Sequence, residues 1–239
     1  MRVPLLWRLA PSVLFRFPRS AAAVAFSAGI VVLATILGPL FLESSERAAM
    51  HGEMRRTGRW EAGLQILWRP FGPATTPEAR RRLLRLGREG LRALDERMAG
   101  VPGVGPATVT FLGGQITASG RAGEAFVRLA HRTGDRENVA VVRHGGDGVW
   151  IADVTADALG VEPGDSIELE TGGRKVGVRV GAIYRFLPED EPREYWTPLR
   201  DFVYKVPSAD TYPPPFVLAS PELVTSTDIA TQVRWNVPL

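Results

Sequence analysis

Residues 149–185 read VWIADVTADALGVEPGDSIELETGGRKVGVRVGAIYR, and the punctuation of this stretch decides the fold class. Val149-Trp150-Ile151 is a short apolar strand. Asp153 or Thr155 can cap a short helix that reaches Leu159, where Gly160 supplies a left-handed C-cap. Pro163-Gly164 suits the middle of a type II turn, with the glycine taking the positive φ. Ile167 and Leu169 alternate with Glu168 and Glu170, which predicts a half-buried strand. Gly172-Gly173 predicts a hairpin turn, and Val176, Val178 and Val180 alternate in a return strand that runs on to Ile183. Strand, helix, turn and hairpin within one stretch place the body in the α+β class.

Toward the N-terminus the same β-rich character continues. Residues 107–112 (ATVTFL), 115–119 and 124–131 read as strands, separated by Gly113-Gly114 and by Gly120-Arg121. Residues 139–143 predict a fully apolar short strand, and His144-Gly145-Gly146-Asp147-Gly148 a turn. Before them lies a long amphipathic helix. Thr76 is a good N-cap, Pro77 fits the first helical position and Glu78 the first turn. Leu83, Leu84, Leu91, Leu94 and Met98 recur at helical spacing, and Gly100 or Gly103 stops the helix. Its other face carries Arg80, Arg81, Arg82, Arg85 and Arg88. Two readings of that face stand: a solvated surface of a helix packed on a sheet, or a face for anionic lipid or a partner's acidic patch. Residues 60–68 (WEAGLQILW) predict a strand with Leu64, Ile66 and Trp68 on one side. Toward the C-terminus the chain is proline-rich, with one apolar run at residues 216–219.

The longest apolar run begins at Ser20 and ends at Leu42, SAAAVAFSAGIVVLATILGPLFL, without a charge. A bilayer-spanning helix needs roughly 20 such residues. The run is longer than the apolar core of a secretory signal peptide and lacks a small-x-small cleavage pair. Arg2, Arg8, Arg16 and Arg19 precede it, whereas Glu43 and Glu46 follow. Arginine on the short flank points the N-terminus to the cytoplasm and everything after residue 43 outward. The expected organisation is a basic head at 1–19, a transmembrane helix at 20–42 and an extracytoplasmic body at 43–239. The head mixes its arginines with Leu5, Leu6, Trp7, Leu9 and Phe15, the composition of an interfacial segment or of a disordered tail. Residues 43–57 predict a helical continuation out of the bilayer.

Composition removes several function classes. The chain of 239 residues has no cysteine, so neither a disulfide framework nor thiolate chemistry is available. Its formal charge is +3 and its cations are almost all arginine, Lys175 and Lys205 being the lysines. An outward-facing body meets lipid and protein partners, not nucleic acid. His51, His131 and His144 have no i,i+3 or i,i+4 partner ligand, so no metal is expected. The glycines of residues 101–106 lack the Gly-Lys-Ser/Thr of a phosphate loop, and neither a G-x-S-x-G elbow nor H-E-x-x-H occurs. Asp147, Asp153, Asp157 and Asp165 sit where turns and caps want aspartate for local hydrogen bonding. No catalytic residue and no cofactor is expected, and the chain reads as a non-enzyme.

The passage Val149-Trp150-Ile151-Ala152, then Ala156-Asp157-Ala158-Leu159-Gly160-Val161-Glu162-Pro163-Gly164-Asp165-Ser166-Ile167, resembles the extracytoplasmic core domain of FtsX/MacB-like ABC transporter permeases. That domain has an apolar strand, a short helix, an LG, an xPGD turn and two strands, and its Gly-Gly hairpin resembles residues 172–178. The resemblance implies the N-terminal part of a bacterial plasma-membrane permease subunit. It would work with a separate cytoplasmic ABC ATPase and with the remaining permease spans or a second permease copy. It also implies an outer domain that binds a substrate or partner. Such permeases have about four spans, whereas this chain reaches residue 239 without a second. A fragment, a truncated reading frame, or a single-pass envelope interaction protein without transport activity are the expectations that follow.

Overall fold

The computed structural model describes residues 19, 22, 26–28, 58–70, 72–191, 193–204, 211–227 and 230–239. The chain divides into two compact units, Met1–Arg56 and Thr57–Leu239. The expected span from Ser20 to Leu42, including both of those end residues, and the continuation at 43–57 lie almost wholly outside the described residues. Among those described, no helix is long and apolar enough to cross a membrane.

Among the described residues the second unit has nine strands: β1 (Leu64–Trp68), β2 (Thr108–Ser119), β3 (Glu124–Arg132), β4 (Val141–His144), β5 (Val149–Ala152), β6 (Ser166–Thr171), β7 (Arg174–Tyr184), β8 (Phe216–Leu218) and β9 (Gln232–Val237). Its helices are α1 (Pro77–Met98), α2 (Asp153–Leu159), α3 (Arg200–Val203) and α4 (Pro221–Ser226). Six strands form a closed hydrogen-bonded circuit. β2 pairs β3, β3 runs parallel to β8, β8 pairs β5, β5 runs parallel to β7, and β6 joins β7 back to β2. The circuit leaves free edges on β2 and β7, which β9 and β4 take up. One side chain in two from every strand then points inward: Ile116, Val127, Ile151, Ile167, Val180 and Val217 belong to one buried cluster.

The stretch that opened the reading folds as its punctuation requires. Helix α2 ends at Gly160, whose φ of 64° is left-handed. Gly164 takes a φ of 102° in the Pro-Gly turn, and Gly172 and Gly173 take 54° and 79° in the hairpin. Ile167 and Leu169 are each 1% exposed while their glutamate neighbours face solvent. The cap of α2 differs from expectation. Its N-cap is Ala152 without a side-chain bond, and Asp153 uses Oδ1 to accept from Val154 N at 2.8 Å and from Phe186 N at 2.9 Å.

Three further expectations are corrected. Gly113-Gly114 does not separate two strands but forms a bulge inside β2, between Leu112 and Gln115. Before the bulge the strand pairs β9 through residues 108–112, and after it β6 through residues 117–119. A bulge bends and twists a strand, which lets one strand serve both the circuit and its extension. The predicted strand at 139–143 begins later, and its Val141 and Val142 are exposed because β4 hangs on the edge of β7. The strand predicted at 60–68 likewise starts only at Leu64, after a turn.

β9 lies between β1 and β2, completing an extension of the circuit that begins and ends the unit. Arg59 O accepts from Leu239 N at 3.0 Å, which ties the turn before β1 to the residues after β9. Helix α1 packs on this extension. Thr76 Oγ1 accepts from Ala79 N at 3.2 Å as the expected N-cap. Gly87 and Gly90 bring the helix hard against Phe111 and Trp235, and Trp235 Nε1 donates to Gly87 O at 3.0 Å. The opposite sheet face is covered by residues 187–191 and 193–204, which bury Trp196 and Leu199 against Trp150, Tyr184 and Phe216.

Candidate functional site

The arginines singled out on α1 do not act as one surface. Arg80 is half-buried and its Nε donates to Ala74 O at 2.9 Å, holding the loop before the helix. Arg81 pairs with Glu78 at 2.8 Å, one turn away and exposed, a contact worth at most a few tenths of a kcal/mol. Arg85 and Arg88 are exposed, and Arg82 with them. The helical period explains the split: Arg80 is three residues before the buried Leu83 and shares its side of the helix, whereas Arg85 and Arg88 point away.

Arg82 and Arg85 rim a cavity of about 600 Å³ between α1 and the end of β1. Its apolar lining includes Trp68, Pro70, Ala79, Leu83 and Leu86, with Glu89 farther along the rim. β1 itself is the outermost strand. It pairs β9 antiparallel from Leu64 opposite Val237 to Trp68 opposite Val233, and among the described residues nothing pairs its outer edge. All five of its residues are exposed, including Leu64 (44%), Ile66 (40%), Leu67 (41%) and Trp68 (39%). Ile66 stands opposite Trp235, whose indole reaches α1. Leu64, Ile66 and Trp68 therefore continue the α1 side of the sheet out to its edge, where, among the described residues, no helix covers them. The expected alternation is present, but it does not bury these residues.

A second concavity, of about 640 Å³, lies by Arg59, Trp60, Tyr195 and Arg193. Beneath it is Arg132, fully buried and unremarkable in the sequence. Its Nη1 donates to Thr110 Oγ1 and to Asn236 Oδ1, both at 2.8 Å. Its guanidinium lies 4.8 Å from the Trp60 ring centre and 4.6 Å from that of Tyr195. Nε and Nη2 find no oxygen and rest among these rings. Burial pulls the Arg132 pKa down to about 10, against the favourable pull of Tyr195 and Asp135. Burial likewise raises the Asp135 carboxyl above its ordinary range, although it accepts from Arg132 N at 3.0 Å. Tyr195 donates to Thr133 O at 2.7 Å and its phenol is pushed up by burial. This cluster joins β2, β3 and β9 to the segment over the sheet. It offers cohesion, with no nucleophile at its centre. The signal in the sequence was the alternation of residues 232–237; Arg132 shares its strand face with Glu124 and Arg128 and gave none.

The tempting aspartates are committed locally. Asp165 Oδ2 accepts from Glu162 N at 2.9 Å and its Oδ1 from Arg121 at 2.7 Å, closing the Pro-Gly-Asp turn. Asp153 holds two backbone amides, as described, and Asp157 is 3.9 Å from Arg143 on the surface. His131 Nδ1 lies 3.1 Å from Ala219 O, and His144 meets the edge of Trp150. His51 lies outside the described residues.

Among the described residues, a mixed α/β body with a strand circuit and open apolar edges at β1 and at β4 is thus the class of domain that the geometry defines. Among solved structures, the chain is similar to the extracellular domain of the noncanonic ABC-type transporter YknZ from Gram-positive bacteria. The identity is 15% and the TM-score 0.38, over 72% of this chain and 82% of that one. It is also similar to a domain described as a "putative Permease protein" from Porphyromonas gingivalis, at 13% identity and a TM-score of 0.33, over 60% of this chain and 66% of that one. No protein-family model matches the chain, and no curated protein does.

Proposed function

We propose that this chain is the N-terminal part of an ABC transporter permease subunit, non-enzymatic itself. Its β-rich body stands outside the plasma membrane of a bacterium, and a separate cytoplasmic ATPase drives it. The observation that carries the reading is the uncharged run from Ser20 to Leu42, with arginine alone before it and glutamate directly after it. A helix of that length and flank is stable across a bilayer with its N-terminus inside. One feature of the body supports it. The passage quoted for the family resemblance takes up the strand, short helix, Pro-Gly-Asp turn and hairpin that the resemblance implies.

In this role the lone span anchors the body and transmits movement, and conduction belongs to further spans. Purification of the complete gene product from native membranes tests the reading. An ABC-type ATPase should co-purify in stoichiometric amount, and alkaline phosphatase fused after residue 60 should be active outside the cell. An anchored body that purifies with an outer partner and no ATPase would instead make it a single-pass interaction protein.

A further inference from the structure

We propose that the outer edge of β1 and the groove beside it form a peptide-docking site. It would take an extended segment of a partner protein, apolar at alternate positions and carrying carboxylates, as an added strand. The inference rests on the geometry of the folded body alone and holds whether or not an ATPase is involved.

Three observations converge. First, β1 is an open edge: among the described residues its only partner is β9, on the inner side. A row of unpaired N–H and C=O groups is a template for a further strand. Second, the edge is apolar rather than guarded. Leu64, Ile66, Leu67 and Trp68 are all exposed, and no lysine, proline or bulge interrupts them. The cavity of about 600 Å³ opens next to Trp68 and is floored by Leu83 and Leu86 of α1. An added strand would place every second side chain on this side of the sheet, the period needed to fill the groove. Third, the rim has a sign. Arg82 and Arg85 stand exposed over the cavity against a single carboxylate, Glu89, so the rim is net positive and carboxylates on the incoming segment are favoured.

Two other occupants fit less well. A bilayer would also welcome exposed Trp68 beside arginines. However, an open strand edge pressed into hydrocarbon leaves its N–H and C=O groups unsatisfied, at several kcal/mol each. A second copy pairing β1 with β1 would set both α1 helices on the same face of the joined sheet, Arg82 and Arg85 against their equivalents. Like charges brought together oppose that pairing.

The test uses the full chain in nanodiscs of zwitterionic lipid and fluorescent eight-residue peptides. One alternates valine with glutamate, one alternates valine with lysine, and one is the glutamate peptide N-methylated at alternate residues along its pairing edge. Anisotropy should show the glutamate peptide binding at least 10-fold more tightly than the lysine peptide, with N-methylation abolishing the signal. The surface double variant Arg82→Glu with Arg85→Glu, with unchanged circular dichroism, should reverse the charge preference. Equal binding of the glutamate and lysine peptides, or of the methylated one, overturns the proposal, as does no binding up to about 1 mM. Loss of peptide binding in nanodiscs containing anionic phosphatidylglycerol assigns the groove to lipid. Loss in step with dimerisation of the chain assigns it to a second copy. Either result also overturns the proposal.

Discussion

Replacing Gly87 with alanine should destabilise the body, although the substitution improves the helix. Gly87 is buried in the middle of α1, and a Cβ built there would stand 2.2 Å from Phe111 Cζ and 3.0 Å from its Cε1. Carbon atoms settle at about 3.5–4.0 Å, so more than about 1 Å must be found. Phe111 is only 2% exposed on β2 and has no open direction in which to swing. The helix must therefore retreat, which also stretches the 3.0 Å bond from Trp235 Nε1 to Gly87 O. Overpacking of this kind costs about 1–3 kcal/mol, here at the upper end, and the strained hydrogen bond adds about 1 kcal/mol. Alanine returns about 1 kcal/mol through helix propensity. The balance is a loss of about 3 kcal/mol, or roughly 6–12 °C in Tm for a body of this size. Thermal unfolding of the full chain in detergent, followed by tryptophan emission, measures it. Phe111→Leu in the same chain should recover much of the loss, giving a coupling energy of about 1–2 kcal/mol in the double-mutant cycle. A Gly87→Ala chain as stable as its parent would refute the close approach of α1 to β2.

Arg132→Ala should cost about 3–4 kcal/mol. It leaves Thr110 Oγ1 and Asn236 Oδ1 buried without their donor, at about 1–3 kcal/mol each. A cavity between Trp60 and Tyr195 adds to this, and the lost burial penalty of the guanidinium partly offsets it; chemical unfolding gives the value. Stability should fall as pH rises past about 10. Buried Tyr184 and Tyr195 have folded pKa values raised by burial, so the unfolded chain loses these protons first and each group contributes a loss of about 1.4 kcal/mol per pH unit. Arg132, lowered to about 10, acts with the opposite sign above that pH, because the folded state sheds its proton before the unfolded one. Tyr184→Phe should flatten the alkaline slope by about one group, as read from denaturant midpoints at successive pH values. Asp165→Ala should cost about 1–2 kcal/mol, because Glu162 N loses its acceptor in the Pro-Gly-Asp turn. Asp165→Asn, which keeps an acceptor, should recover most of it in the same melts.

The local grammar of the chain was legible because local physics writes it. Thr76-Pro77-Glu78 starts α1, Gly160 ends α2, and Pro163-Gly164 and Gly172-Gly173 turn the chain where the backbone needs a fixed or positive φ. The alternation of Ile167 and Leu169 marks which side of β6 is buried. Other features were hidden for equally physical reasons. A glycine pair reads as a turn, yet Gly113-Gly114 is a bulge, since only the strands alongside determine whether the chain reverses or merely bends. Residues 232–237 run between β1 and β2, but an arginine and an asparagine at alternate positions disguise them. Asn236 is buried because it accepts from Arg132 on a strand far away in the chain, and Arg234 because it donates to Pro198 O and Gln232 Oε1 and lies over the Phe202 ring.

The amino-acid sequence by itself determined the α+β character of the body, the start of α1, the end of α2, and the Pro-Gly and Gly-Gly turns. Propensity and capping act within a few residues and need no partner. Only the tertiary structure decided which faces meet. It separated the α1 arginines into Arg80, spent on the Ala74 carbonyl, and Arg82 and Arg85, open over a groove. It left the apolar alternation of β1 at an uncovered edge, where the sequence pattern reads the same as in a buried strand. Alternation says that two faces of a strand differ. What lies against each face is settled by long-range pairing, which a residue's neighbours in sequence do not encode.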